Sequence, residues 1–184
     1  HSFRGAFLAL VFPVFGLGSA DVSKGADRFS IEQVLSAPFS GSLVGSPDGH
    51  SIAWVSRSAG VRNIWFSNLA DSGRTGTRRL TSYSADDGLD IGDITFIPNK
   101  ELVAYARGGD LEYPDKPAAN PASLSTGARH EIFLVSVRGG SPVPVGEGHS
   151  PVASPDGQRL LFLREGAVFG VAPLSRKPPA RLFV

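Results

Sequence analysis

One eight-residue pattern occurs three times in this chain and constrains it more than any other feature. Pro47-Asp48-Gly49-His50-Ser51-Ile52-Ala53-Trp54 aligns without gaps with Pro98-Asn99-Lys100-Glu101-Leu102-Val103-Ala104-Tyr105, and again with Pro155-Asp156-Gly157-Gln158-Arg159-Leu160-Leu161-Phe162. The copies are spaced by 51 and 57 residues. Each begins as a tight turn: Pro presets φ, Asp bonds back to the backbone, and Gly accepts positive φ. Each continues as a short run of β-branched and aromatic residues, the composition of a strand. In the second copy Lys100 replaces Gly, so that turn is strained or of another type.

Each copy carries a second matching run (Ile64-Trp65-Phe66, Ile132-Phe133-Leu134, Val168-Phe169-Gly170). A third follows at Arg79-Leu80-Thr81, Pro142-Val143-Pro144-Val145 and Arg181-Leu182-Phe183. With the strand entering each turn, every copy holds four short strands. Four strands per period of 40 to 60 residues is the signature of β-propeller blades. The 22 glycines and 14 prolines among 184 residues support this reading, because both break helix interiors. The expected fold is all-β: a partial β-propeller of about three four-stranded blades (43–93, 94–150 and 151–184) after an N-terminal signal peptide. A β-sandwich with coincidental turns is the alternative.

Residues 1–20 read as that signal peptide. Arg4 precedes the twelve-residue apolar run Ala6 to Leu17, and Gly18-Ser19-Ala20 supplies small residues for cleavage. Twelve residues are too few for a bilayer core, which takes ~20. Residues 21–42 read as a linker and a short helix over Phe29 to Ala37, with Ser30 as N-cap and Pro38 as terminator. Export to the periplasm or medium of a bacterium is expected, with no membrane attachment after cleavage. The chain opens at His1, and its third copy stops as its last strand begins, so a fragment of a longer protein is expected.

Charge and chemistry exclude more than they assign. Lys and Arg number 18 against 17 Asp and Glu, and loss of Arg4 with the leader leaves them balanced. No electrostatic case for nucleic acid follows. There is no cysteine, hence no disulfide, thiolate metal site or cysteine nucleophile. The four histidines show no paired metal spacing, and no cofactor is expected. The acidic run Asp86, Asp87, Asp90, Asp93 lacks a calcium-loop arrangement, since the twelfth position from Asp86 is Ile97. Gly148-His149-Ser150-Pro151-Val152 approaches a nucleophile elbow but lacks its second glycine. The glycine pairs at 108–109 and 139–140 look like hairpin turns.

The second copy is interrupted by about twenty extra residues, Gly108 to Gly127, rich in Gly and Pro. Long loops on rigid scaffolds are where function concentrates. Arg107, Asp110, Glu112 and Tyr113 are therefore the candidate peptide-contacting groups. A mobile exposed loop is the equal alternative.

The leader and FSIEQVLSAPFSGSLVGSPDGHSIAWVSRSAGVRNIWF resemble the N-terminal propeller of the prolyl oligopeptidase family of serine peptidases. Within that family the likeness is to exported bacterial members of the dipeptidyl-peptidase and acylaminoacyl-peptidase branches. It continues through RRLTSYSADDGLDIGDITFIPNKELVAYARGGD and HEIFLVSVRGGSPVPVGEGHSPVASPDGQRLLFLREGAVFGVAPL. The most specific parts are Thr81 to Asp93, with Asp86-Asp87-Gly88, and Gly108-Gly109-Asp110. The resemblance implies a propeller that screens peptides by size before a C-terminal α/β-hydrolase domain, which is absent from this chain. It implies no catalytic residue here, and peptide as the substrate of the whole protein. A homo-oligomer stays open. The alternatives are a TolB-like periplasmic propeller that binds protein partners without chemistry, and a secreted sugar- or metal-binding propeller enzyme.

Overall fold

A computed structural model of the chain describes residues 29–70, 76–111, 123, 125, 127–171, 174 and 182–183. The expected signal peptide and most of the 108–127 insertion lie outside these residues. The described chain is all-β apart from one short helix, α1 (Ile31–Ser36). Ser30 caps α1 as its chemistry predicts: its Oγ accepts from the Gln33 amide at 3.1 Å, and its own amide donates to Gln33 Oε1 at 2.8 Å.

Twelve strands follow in three antiparallel sheets of four, each ordered as it runs in sequence. The first holds β1 (Phe39–Gly45), β2 (Ser51–Ser58), β3 (Val61–Asn68) and β4 (Thr77–Arg79). The second holds β5 (Asp90–Phe96), β6 (Leu102–Gly108), β7 (Glu131–Ser136) and β8 (Val143–Glu147). The third holds β9 (His149–Ala153), β10 (Leu160–Arg164), β11 (Ala167–Val171) and β12 (Leu182–Phe183). In each sheet the repeated turn joins the first strand to the second. The first strands start at Phe39, Asp90 and His149, ahead of the blade limits at 43, 94 and 151 that the apolar pattern suggests. A polar residue in each of them interrupts that pattern, for reasons given below.

The turn chemistry is the same in the first and third copies. Asp48 Oδ1 accepts from Ser46 Oγ at 2.5 Å and from the His50 amide at 2.9 Å, while the Ser51 amide donates to Ser46 Oγ at 2.9 Å. Asp156 Oδ1 accepts from Ser154 Oγ at 2.5 Å and from the Gln158 amide at 2.9 Å, and the Arg159 amide donates to Ser154 Oγ at 2.8 Å. These bonds hold both carboxyls below the usual carboxylate range, the serine hydroxyl first and the amide second. The second copy is a different turn. Ile97 stands where serine would, and the left-handed residue moves one place earlier, to Asn99 at φ 57°. The Lys100 amide still closes the turn on Ile97 O at 3.2 Å. Pro followed by a left-handed Asn is a type II pattern, and it frees position 100 from the need for Gly.

The sheets stack face to face. One buried cluster lies between the first and second sheets, including Ala53, Val55, Ile64 and Phe66 against Val103, Tyr105 and Val135. The other lies between the second and third, including Ala104, Ala106, Ile132 and Leu134 against Leu160, Phe162 and Phe169. The middle sheet is covered on both sides, so β6 reads as the unbroken apolar run Leu102 to Ala106, all five residues buried. In the outer sheets alternate residues stay open: β2 and β10 bury every second residue of their apolar stretch.

Two expectations are corrected. Arg79-Leu80-Thr81 is not a strand throughout; β4 ends at Arg79. The Leu80 amide extends the ladder to Ile64 O at 2.7 Å, and the Thr81 hydroxyl then takes the Ile64 amide at 2.9 Å. Buried Asn63 completes that exit, since its Oδ1 accepts from Thr81 Oγ1 and from the Tyr83 amide. The Gly108–Gly109 pair is not a hairpin turn either. Gly108 closes β6, and a Cβ there would lie 2.5 Å from Arg129 O and 2.6 Å from the His130 ring. Gly139–Gly140 does form a turn, with the Gly139 amide on Ser136 O at 2.8 Å.

Candidate functional site

The first strands of the three sheets lie against one another, β5 packing on both β1 and β9. Along this shared edge Ser42, Asp93 and Ser150 adopt φ of 52°, 49° and 51°. They are separated by 51 and 57 residues, the spacing of the turn repeat. The pairing register slips at each of them, between Gly41 and Val44 in β1, between Gly92 and Thr95 in β5, and where β9 meets β10 between Leu161 and Leu163. Each first strand therefore carries a β-bulge at the same repeat position, which re-aims its side chains. A left-handed non-glycine costs roughly 1–2 kcal/mol, and such strain gathers at sites where geometry matters.

The second and third bulges are tied together. Asp93 Oδ2 accepts the Ser150 amide at 2.9 Å, and the Ser150 hydroxyl lies 3.0 Å from His149 Nδ1. His149 is buried and meets buried His130 edge to face, with ring centroids 6.2 Å apart. The Gly148 amide donates to His130 O at 2.8 Å. Burial first, then the neighbouring His149, pulls the His130 imidazole below its ordinary 6.5, against an opposing hydrogen bond with the Asp110 backbone. Serine, histidine and aspartate thus meet at this edge. The aspartate orients the serine amide and so fixes the bulge. Ser150 sits within a strand, not at a strand-to-helix elbow. Asp93 thus binds the serine's backbone amide, and His149 Nδ1 faces its hydroxyl.

Of the four residues expected to contact peptide, Arg107 and Asp110 are in view. Arg107 pairs with Asp87 through Nη2 and stacks over the Tyr83 ring at 4.2 Å. Tyr83 shares a 2.7 Å hydrogen bond with the hydroxyl of fully buried Tyr105. Burial pushes both phenols up. Burial also pushes the Asp87 carboxyl up, but the Leu89 amide and Arg107 outweigh it and hold that group below the usual range. Arg107 is thus a strut between the crossover after β4 and the second sheet. Asp110 is exposed. Glu112 and Tyr113 lie outside the described residues.

Three residues of the acidic run, Asp86, Asp87 and Asp90, pair with arginines. Asp90 pairs with Arg57 at 3.0 Å and Arg62 at 2.9 Å, and Asp86 lies 3.7 Å from Arg62. The carboxylates clamp the first sheet to the crossover. Among the described residues no group of three His, Cys, Asp or Glu could hold a metal ion. No helix among them is long and apolar enough to cross a membrane.

At the opposite end, the repeated turns of the first and second sheets, with Pro155 of the third, border an open depression of about 550 Å³. Its charged groups are already engaged: Lys100 Nζ donates to Leu174 O at 2.8 Å, and Glu101 pairs with Arg138 at 2.8 Å.

The bulge row and the histidine pair escaped the sequence reading. Their one signal was the recurrence of a polar residue five places before each repeated proline.

The class that fold and edge define is an all-β chain of three stacked four-stranded sheets, joined along a row of bulged first strands. No protein-family model matches the chain, and no curated protein matches it in sequence.

Proposed function

We propose that the three sheets are successive blades of a β-propeller, and that this propeller gates peptide access to a serine-hydrolase domain carried elsewhere in a longer, exported polypeptide. The observation that carries the propeller reading is the repeat in space. Three sheets in sequence order bring their first strands together, each with the same bulge and each followed by a tight turn at the same repeat position. Equivalent residues of successive sheets thus line one edge, as blades around an axis do.

The peptidase part of the reading rests on the residue resemblance. Its most specific segments form the crossover from β4 to β5 and the exit of β6, at one end of the sheets. The insertion leaves the second sheet at that same end, after Gly108. Export rests on the leader pattern of residues 1–20.

The test is to read the open reading frame past Val184 and to treat the encoded full-length protein with a fluorophosphonate probe. Further four-stranded repeats, a Gly-x-Ser-x-Gly elbow, and labelling of a serine outside residues 1–184 are expected. A stop codon after the last sheet, or a full-length protein that takes no label, would overturn the gate reading in favour of a non-catalytic, partner-binding propeller.

A further inference from the structure

The second and third sheets are tied differently at their two ends. At the turn end, Lys100 Nζ donates to Leu174 O at 2.8 Å, and Gly157 packs so closely on Pro98 O that a Cβ there would lie 2.0 Å away. At the other end, where β6 exits and β7 and β9 begin, the tie is the histidine pair with two hydrogen bonds. The Gly148 amide donates to His130 O at 2.8 Å, and the Ser150 amide donates to Asp93 Oδ2 at 2.9 Å. Both rings are buried, and glycines make the room for them. A Cβ on Gly108 would lie 2.6 Å from the His130 ring, and one on Gly148 would lie 2.5 Å from the Phe162 ring. Neither ring can withdraw from the other without moving backbone. His130 Nε2 is buried and has no hydrogen-bond partner among the described residues, so a proton added there meets no protein acceptor. Burial and then His149 oppose that proton, while the Asp110 backbone and the Asp93 and Asp110 carboxylates favour it. The remaining charges near the pair are engaged or exposed. Arg129 pairs with Glu147 at 3.3 Å, Arg107 is taken by Asp87, and Glu131 is exposed on β7.

We propose that the His130–His149 pair is an acid-opened latch: when both rings carry protons, the second and third sheets part at this end and hinge about the contacts at the turn end. Two imidazolium rings with centroids 6.2 Å apart repel, and their burial leaves little water to screen them. Separating the rings takes the Gly148 amide off His130 O. Asp93 is drawn to the new charge, which costs the Ser150 amide its acceptor. The Lys100 bond to Leu174 O involves no group that titrates in this range, so the turn end stays closed. The latch is shut while the rings are neutral, above the ordinary histidine value of 6.5, and opens as pH falls below it. The seam that opens lies where the insertion leaves the second sheet. The inference rests on this junction and not on the hydrolase reading, so a latch that stays shut in acid would leave the gate proposal standing.

The test is amide hydrogen exchange, read by nuclear magnetic resonance on the 184-residue chain between pH ~7.5 and pH ~5 and corrected for the intrinsic pH dependence of exchange. Protection of the Gly148 and Ser150 amides is expected to fall about tenfold or more on acidification. The Gly157 amide at the turn end and the amides of β6 are expected to change by about twofold or less. His130→Gln, which keeps a polar side chain but takes up no proton, is expected to abolish the fall at Gly148 and Ser150. Where that variant does not fold at neutral pH, His149→Gln serves in its place with the same expectation. The wild-type comparison of the two ends decides by itself even where neither variant folds. Three results would each overturn the proposal: protection at Gly148 and Ser150 that does not fall, an equal loss at both ends (as general loosening of the chain would give), or an undiminished fall in a folded glutamine variant.

Discussion

At the scale of single residues, equivalent positions of the repeat carry unequal loads. Gly49 and Gly157 both close Pro-Asp-Gly turns at positive φ, 74° and 66°. A Cβ on Gly49 meets nothing within 4 Å, whereas one on Gly157 would lie 2.0 Å from Pro98 O, where the third turn packs on the second. Gly49→Ala should therefore lose about 1 kcal/mol, the strain of the left-handed backbone alone. Gly157→Ala should lose about 3 kcal/mol or more, because backbone must move as well. Urea unfolding of the two variants measures the difference, and equal losses would refute the contact. Arg107 is a second such residue. Its side chain is largely buried between Asp87 and Tyr83, so Arg107→Ala should cost about 2 kcal/mol through the lost pair and the lost stacking. Arg107→Lys should recover less than half, since an ammonium has no planar face to lay on the ring. Full rescue by lysine would show that charge alone matters there.

At the scale of elements, the junction between the second and third sheets is the one that pH should reach. His130 precedes β7, His149 opens β9, and their rings meet inside the protein. The folded His130 pKa lies below its unfolded value, so the unfolded chain takes up the proton more readily. Stability from keeping this ring neutral is complete above the ordinary value of 6.5 and is lost as pH falls through the folded pKa. Thermal melts between neutral pH and pH ~5 should show Tm falling with acidification. His130→Gln should flatten that slope while lowering Tm at neutral pH. A slope unchanged by the substitution would place the sensitivity elsewhere. Asp93 and Asp110 favour the charged ring and so limit the fall, without reversing its direction. The first junction differs, being held at its rim by Arg57, Arg62 and Arg107 against Asp86, Asp87 and Asp90. Salt should weaken that rim more than the histidine contact, because its groups are partly solvated.

At the scale of the whole molecule, protection should be greatest at the centre of the stack. β6 is covered on both faces, while the strands of the outer sheets are each covered on one, so its amides should exchange with deuterium last. Faster exchange in β6 than in β2 or β10 would contradict the stacking order. The sequence by itself determined the three copies, their strands, their turn chemistry and the capped helix, because those depend on local rules: Pro and Gly dihedrals, the aspartate that bonds its own turn, and the period of two along a strand. It also made Lys100 a sign of a different turn, as Asn99 bears out. Only the tertiary structure decided which faces are buried and what the polar residues do. Arg107 reads as a peptide-contacting candidate from its place beside a long loop, and only packing shows that Asp87 and Tyr83, some twenty residues earlier, arrive beside it. Ser42, Asp93 and Ser150 look like lapses in apolar patterning, yet they are the bulges along the shared edge. A bulge needs a partner strand to slip against, and a buried ion pair needs two segments brought together. No local rule of the chain encodes either, so those features wait for packing.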